Sequence, residues 1–70
     1  MKDVTKEQRD WAINIKKNQT SFYNSLSVVN KITVSHIIKA GHYSKIMAER
    51  LTNVGEKWLE YRKINKHRSI

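Results

Sequence analysis

The groups best suited to chemistry in this sequence are three histidines, six carboxylates and a large set of cations, and spacing decides what they can do. His36 and His42 lie either side of Gly41, off the i, i+4 spacing that places two ligands on one helical face, and His67 is remote in sequence. A zinc site takes about four ligands, and a chain without cysteine has no thiolate to offer. No metal and no cofactor is expected, and His36, at the edge of an apolar stripe, reads as a packed residue with one satisfied ring nitrogen. The carboxylates are Asp3, Glu7, Asp10, Glu49, Glu56 and Glu60. None shares an apolar setting with a second acid, the arrangement that general-acid work calls for. Several instead have a cation at helical spacing, such as Lys6 with Asp10, Lys45 with Glu49 and Lys63 with Glu60, and these read as solvated pairs. Serines are numerous, but none has a base placed to activate it. The chain is read as non-enzymatic, with no catalytic residues.

The cations are the strongest signal. Fourteen Lys and Arg face six Asp and Glu, a net charge of +8 on 70 residues. Such an excess draws polyanions and is the usual electrostatic footprint of a nucleic-acid binder. A solubility surface, or the Lys, Asn and Ile bias of AT-rich coding, would produce it too. The densest stretch is Arg62-Lys63-Ile64-Asn65-Lys66-His67-Arg68, with four positive charges and no acid. At a helix C-terminus these cations would also complement the dipole. Arg50, Lys57, Arg62, Lys63, Lys66 and Arg68 form the candidate nucleic-acid-binding set, with DNA favoured over RNA, and Lys16, Lys17, Lys31 and Lys39 add to the basic surface. Trp11, Phe22 and Trp58 have faces on which bases could stack. Each lies on an apolar stripe, however, and reads as core.

These residues must be positioned by a small framework. Residues 1–70 make one domain, and a chain of this length buries only about 60% of its unfolded surface. Without disulfides, tight helix packing or self-association has to supply stability. There is no proline, and glycine occurs only at positions 41 and 55, so long helices are the default. The spacing predicts an all-α, three-helix arrangement: an N-terminal helix over about 5–18 and a long antiparallel helical hairpin over about 21–40 and 43–67. Thr5-Lys6-Glu7-Gln8 fits a capping box at the first start. Phe22, Leu26, Val29, Thr33, Ile37 and Ala40 form one helical stripe, and Met47, Leu51, Val54, Trp58 and Tyr61 another. Gly41 between them reads as a C-terminal glycine cap. The β-branched run Val28–Val34, with Asn30-Lys31 as a turn, leaves a β-hairpin as the alternative there. If the run is helical, Val28, Ile32 and Val34 make a second apolar face about 100° from the first. Homodimerisation through that face is then expected.

Part of the second stripe resembles the helix-turn-helix of phage-repressor-type DNA-binding regulators. Met47-Ala48-Glu49-Arg50-Leu51 is similar to the first helix of that motif, with Ala48 as its small residue. Thr52-Asn53-Val54-Gly55 would be the turn, and Trp58 and Tyr61 the anchors of a recognition helix running to about His67. The family's pattern wants glycine where Thr52 stands, and Glu56 and Glu60 would face phosphate. A turn at 52–55 would also interrupt the helical phase, which the apolar spacing keeps, so the competing reading is one long helix with Gly55 inside it. The resemblance implies a DNA-binding transcription regulator.

No apolar run approaches the roughly 20 residues that cross a bilayer, and nothing near Met1 reads as a signal peptide. A cytoplasmic protein without membrane association is expected. Two functions are consistent with these features. One is a small basic nucleic-acid-binding regulator; the other is a protein-interaction module, of the phage or mobile-element type, that modulates an acidic host protein through a helical face.

Overall fold

Thr5 starts the first helix as its sequence context requires. In the computed structural model, which describes the backbone of residues 1–68 and the side chains as far as Ile64, Gln8 N–H donates to Thr5 Oγ1 at 3.1 Å. Thr5 N–H donates in turn to Gln8 Oε1 at 3.0 Å, which completes the capping box. Helix α1 (Lys6–Asn18) buries Ala12 and Ile15 and places Lys16 and Lys17 in its last turn, where cations favour the negative end of the dipole.

The segment 21–40, expected as one helix, is two. Helix α2 (Thr20–Ser25) stops before Leu26, and helix α3 (Val28–Lys39) begins after Ser27. Two serine hydroxyls make the break. Ser25 Oγ donates to the Phe22 carbonyl at 2.6 Å, and Asn30 N–H donates to Ser27 Oγ at 3.2 Å as an N-cap. Leu26 and Ser27 are extended, with ψ of 153° and 160°, yet Leu26 stays buried. The β-branched run is helical, so no hairpin forms at Asn30-Lys31. The wholly buried Thr33 satisfies its hydroxyl by donating to the Val29 carbonyl at 2.9 Å.

The buried face of α3 is Asn30, Thr33, Val34 and Ile37. This corrects the expected second apolar face. Val34 is fully buried and belongs to the core, so it cannot serve a homodimer surface, whereas Val28 and Ile32 are 71% and 55% exposed. Val29, expected on the core stripe, is exposed, and the polar Asn30 takes the inward position beside it.

Helix α3 ends without a left-handed glycine. Ala40 is extended, its N–H donates to the His36 carbonyl, and neither glycine has positive φ. The chain then forms β2 (His42–Tyr43), which pairs antiparallel with β1 (Lys2–Asp3) in the register Lys2 with Tyr43 and Asp3 with His42. Val4 N–H donates to the Gly41 carbonyl at 2.9 Å and extends this pairing. The ribbon ties the N-terminus to the α3–α4 connection and brings the Tyr43 hydroxyl to Gln8 Nε2.

Helix α4 (Lys45–Arg68) starts at Ser44, whose Oγ accepts from Met47 N–H at 3.3 Å. It is unbroken through Thr52–Gly55. Val54 is buried, and Trp58 and Tyr61 meet Phe22 of α2 at ring-centroid distances of 5.1 and 5.2 Å. α4 therefore leaves the end of α3 and runs back to the helix preceding α3, which makes the pair antiparallel. The result is the expected all-α, three-helix arrangement, with the middle segment divided and a small ribbon added.

Candidate nucleic-acid interface

The cations singled out by sequence sit on α4 but do not share a face. Lys57, Arg62 and Lys63 are exposed and Arg50 is half-buried, while Lys66 and Arg68 lie outside the residues whose side chains are described. At about 100° per residue, Arg50 and Lys57 flank one side of the Met47–Tyr61 contact stripe, Arg62 the other, and Lys63 points away from it. Glu49, Glu56 and Glu60 occupy the same solvent side as Lys63, with Glu60 three residues from it, so the described part of α4 presents mixed charge. The segment proposed as a turn at 52–55 is helical; the described helices break instead at Gln19, between α1 and α2, and at Leu26-Ser27, between α2 and α3.

A surface of one sign lies on α3. Opposite its buried face, Val28, Ile32, Ser35 and Lys39 line up along the helix, with Lys31 and His36 at the sides. With Tyr23 of α2 they line one open groove. Ser35 is where three helices meet on this face: its hydroxyl lies 3.4 Å from that of Tyr23 and accepts from Lys16 Nζ of α1 at 3.5 Å. Lys16 and Lys17 also border Ile13 and Ile38, next to α3. His36 Nε2 donates to the His42 carbonyl at 3.0 Å, which fits the expected packed imidazole with one satisfied nitrogen. Trp58 is stacked on Tyr61 and set edge-on to Phe22, so those rings are engaged in packing rather than free for bases.

The sequence signal for this surface is an absence. From Trp11 to Ala48 there is no Asp or Glu, although Lys16, Lys17, Lys31, Lys39 and Lys45 fall within that span. α2 and α3 lie wholly inside it. No helix among the described residues is long and apolar enough to cross a membrane. Comparison with known protein families, characterised proteins and solved structures found no match.

Proposed function

We propose that this protein binds duplex DNA, with α2 and α3 acting as a helix-turn-helix pair and α3 as the helix that enters the major groove. The observation that supports this is the solvent face of α3: lysines, a serine and two exposed aliphatics, with no carboxylate on α2 or α3. A major groove about 12 Å wide admits one α-helix. In such motifs the N-terminal residues of the second helix approach base edges, while cations around it hold phosphates. Val28, Lys31 and Ile32 fall at the N-terminal end of α3, and Lys39, Lys16 and Lys17 lie where they would track the backbone. A regulatory role on DNA is part of the same proposal.

The competing reading, a module that binds an acidic protein through a helical face, draws on the same exposed Val28 and Ile32 of α3, and on the exposed Ile46, Leu59 and Ile64 of α4. The basic, acid-free surroundings of Val28 and Ile32 would suit an acidic partner as well as DNA, so the DNA titration decides between the two.

Fluorescence anisotropy of labelled duplex DNA and single-stranded RNA, titrated at several salt concentrations, tests the proposal. Duplex DNA is expected to bind with a steep salt slope, the slope counting about 0.9 per phosphate neutralised. Lys31→Ala with Lys39→Ala should lower the slope by about 2. Loss of binding only on changing Arg62, Lys63, Lys66 and Arg68 would move the surface to α4. No duplex binding at about 100 mM salt would end the DNA reading.

A further inference from the structure

We infer that α3 reads thymine methyl groups, so that the preferred DNA is A·T-rich and is recognised by apolar contact rather than by base-edge hydrogen bonding. This rests on the DNA-binding reading and goes beyond it. The central line of the α3 face begins with two aliphatic side chains, Val28 and Ile32, which are among the most exposed large hydrophobics of the protein. Arg, Asn and Gln are missing from that line, and its two hydrogen-bonding members, Ser35 and Lys39, lie C-terminal to the aliphatic pair, away from the end of the helix that approaches bases. The one neighbouring amide, Asn30, is buried on the opposite side. The apolar feature of the major groove is the C5-methyl of thymine.

The spacing agrees. Val28 and Ile32 are four residues apart, a rise of about 6 Å along the helix. Alternate nucleotides of one DNA strand are about 6.8 Å apart. With α3 lying along the groove, the two side chains meet methyls on thymines separated by one nucleotide. Lys31 and Lys39 flank the contact and supply the charge that a polyanion requires.

A second copy of the chain fits this face less well. Two aliphatic side chains fall far short of the roughly 800 Å² per partner of a standard interface. A two-fold contact would also set the same lysines against each other.

The test compares alternating poly(dA-dT), poly(dA-dU) and poly(dI-dC) duplexes as anisotropy ligands at one salt concentration. Uracil removes only the methyl. Inosine·cytosine keeps an A·T-like minor groove while also lacking the methyl. Each methyl buried against an aliphatic side chain is expected to change affinity about fourfold, and two about fifteenfold. Poly(dA-dT) should therefore bind about fifteenfold more tightly than poly(dA-dU). Val28→Ala with Ile32→Ala should abolish that ratio while leaving poly(dA-dU) binding within about twofold. Val29→Ala, about 100° from Val28 and 60° from Ile32 around the helix, is off the central line and should leave most of the ratio intact. Equal, salt-dependent binding to the thymine and uracil polymers would overturn the inference and leave the DNA reading standing. Poly(dI-dC) binding as tightly as poly(dA-dT) would point to the minor groove and overturn it too. No binding to any duplex would remove both. A change of oligomeric state in the Val28/Ile32 double variant would assign the face to self-association and overturn the inference.

Discussion

Replacing Gly55 with alanine should stabilise the protein, although glycine in a chain with only two is usually held by need. Gly55 lies within α4, its backbone is not in the left-handed region, and a Cβ placed on it meets no atom within 4 Å. An alanine there gains the helix preference, about 0.8–1 kcal/mol in a helix interior. Much of that gain comes from narrowing the unfolded ensemble. At about 0.05–0.15 kcal/mol per residue, a chain of this length is stable by roughly 3.5–10 kcal/mol, so the change is a measurable fraction of the whole. The melting temperature should rise by about 4–8 °C per kcal/mol. Urea unfolding followed by far-ultraviolet circular dichroism measures the gain, and an unchanged m-value would show that the unfolded state is comparable. Gly41→Ala is the companion variant: that site is equally open but lies outside any helix, so it should gain only the unfolded-state contribution, about 0.4–1 kcal/mol, without the helix preference. A loss of more than about 0.5 kcal/mol in Gly55→Ala would refute the reasoning. It would mean that the chain turns at 52–55 and would revive a helix-turn-helix at 47–67.

Ser27→Ala separates one helix from two. If 21–40 were continuous, alanine would stabilise it, whereas loss of the α3 cap should cost about 1 kcal/mol and Ser27→Asp should restore most of it, both read by urea unfolding. Phe22→Ala removes the ring that Trp58 and Tyr61 pack against and should cost about 3–5 kcal/mol, a large part of the total stability. A cost below about 1 kcal/mol by calorimetry would show that α4 does not dock on α2. Arg9 Nη2 donates to the Ala40 carbonyl at 2.9 Å, so Arg9→Ala should cost about 1.5 kcal/mol. Native-state hydrogen exchange should show its effect first in β1, β2 and the end of α3, and uniform loss of protection would contradict that local role.

The elements legible in the sequence were those whose determinants repeat or match a local rule. α1 was legible from Thr5 and Gln8, and α4 from five apolar positions that hold one phase across Gly55. The break between α2 and α3 was not, because Phe22, Leu26, Thr33 and Ile37 stay in helical phase across it. Two serine hydroxyls make the break, and serine is common enough to carry little signal alone. The error at Val34 is one of helical phase: six residues from Val28 and two from Ile32, it stands about 120° and 160° around the helix from them, on the side of the buried Thr33 and Ile37. Val29 misled separately, because apolarity favours it over Asn30 for the inward position. The β1–β2 ribbon is two residues a side, too short for alternation to show.

Net charge foretold a basic protein but not where the charge would gather. Following the density of cations along the chain leads to residues 62–68, yet on the described part of α4 a turn of helix sets Lys63 beside Glu60, on the side that also carries Glu56 and Glu49. Density along a chain is not density on a surface, because neighbours on a helix face are three and four residues apart. A stretch without acids behaves differently. However α2 and α3 pack, no carboxylate from Trp11–Ala48 can appear beside their lysines, and only the remainder of the chain could bring one. In the structure the remaining side chain that reaches Ser35 at the centre of that face is the ammonium of Lys16, itself from the acid-free span. The sign of the α3 face thus follows from composition over a segment, while its apolar centre depends on a helical phase that only the folded chain reveals.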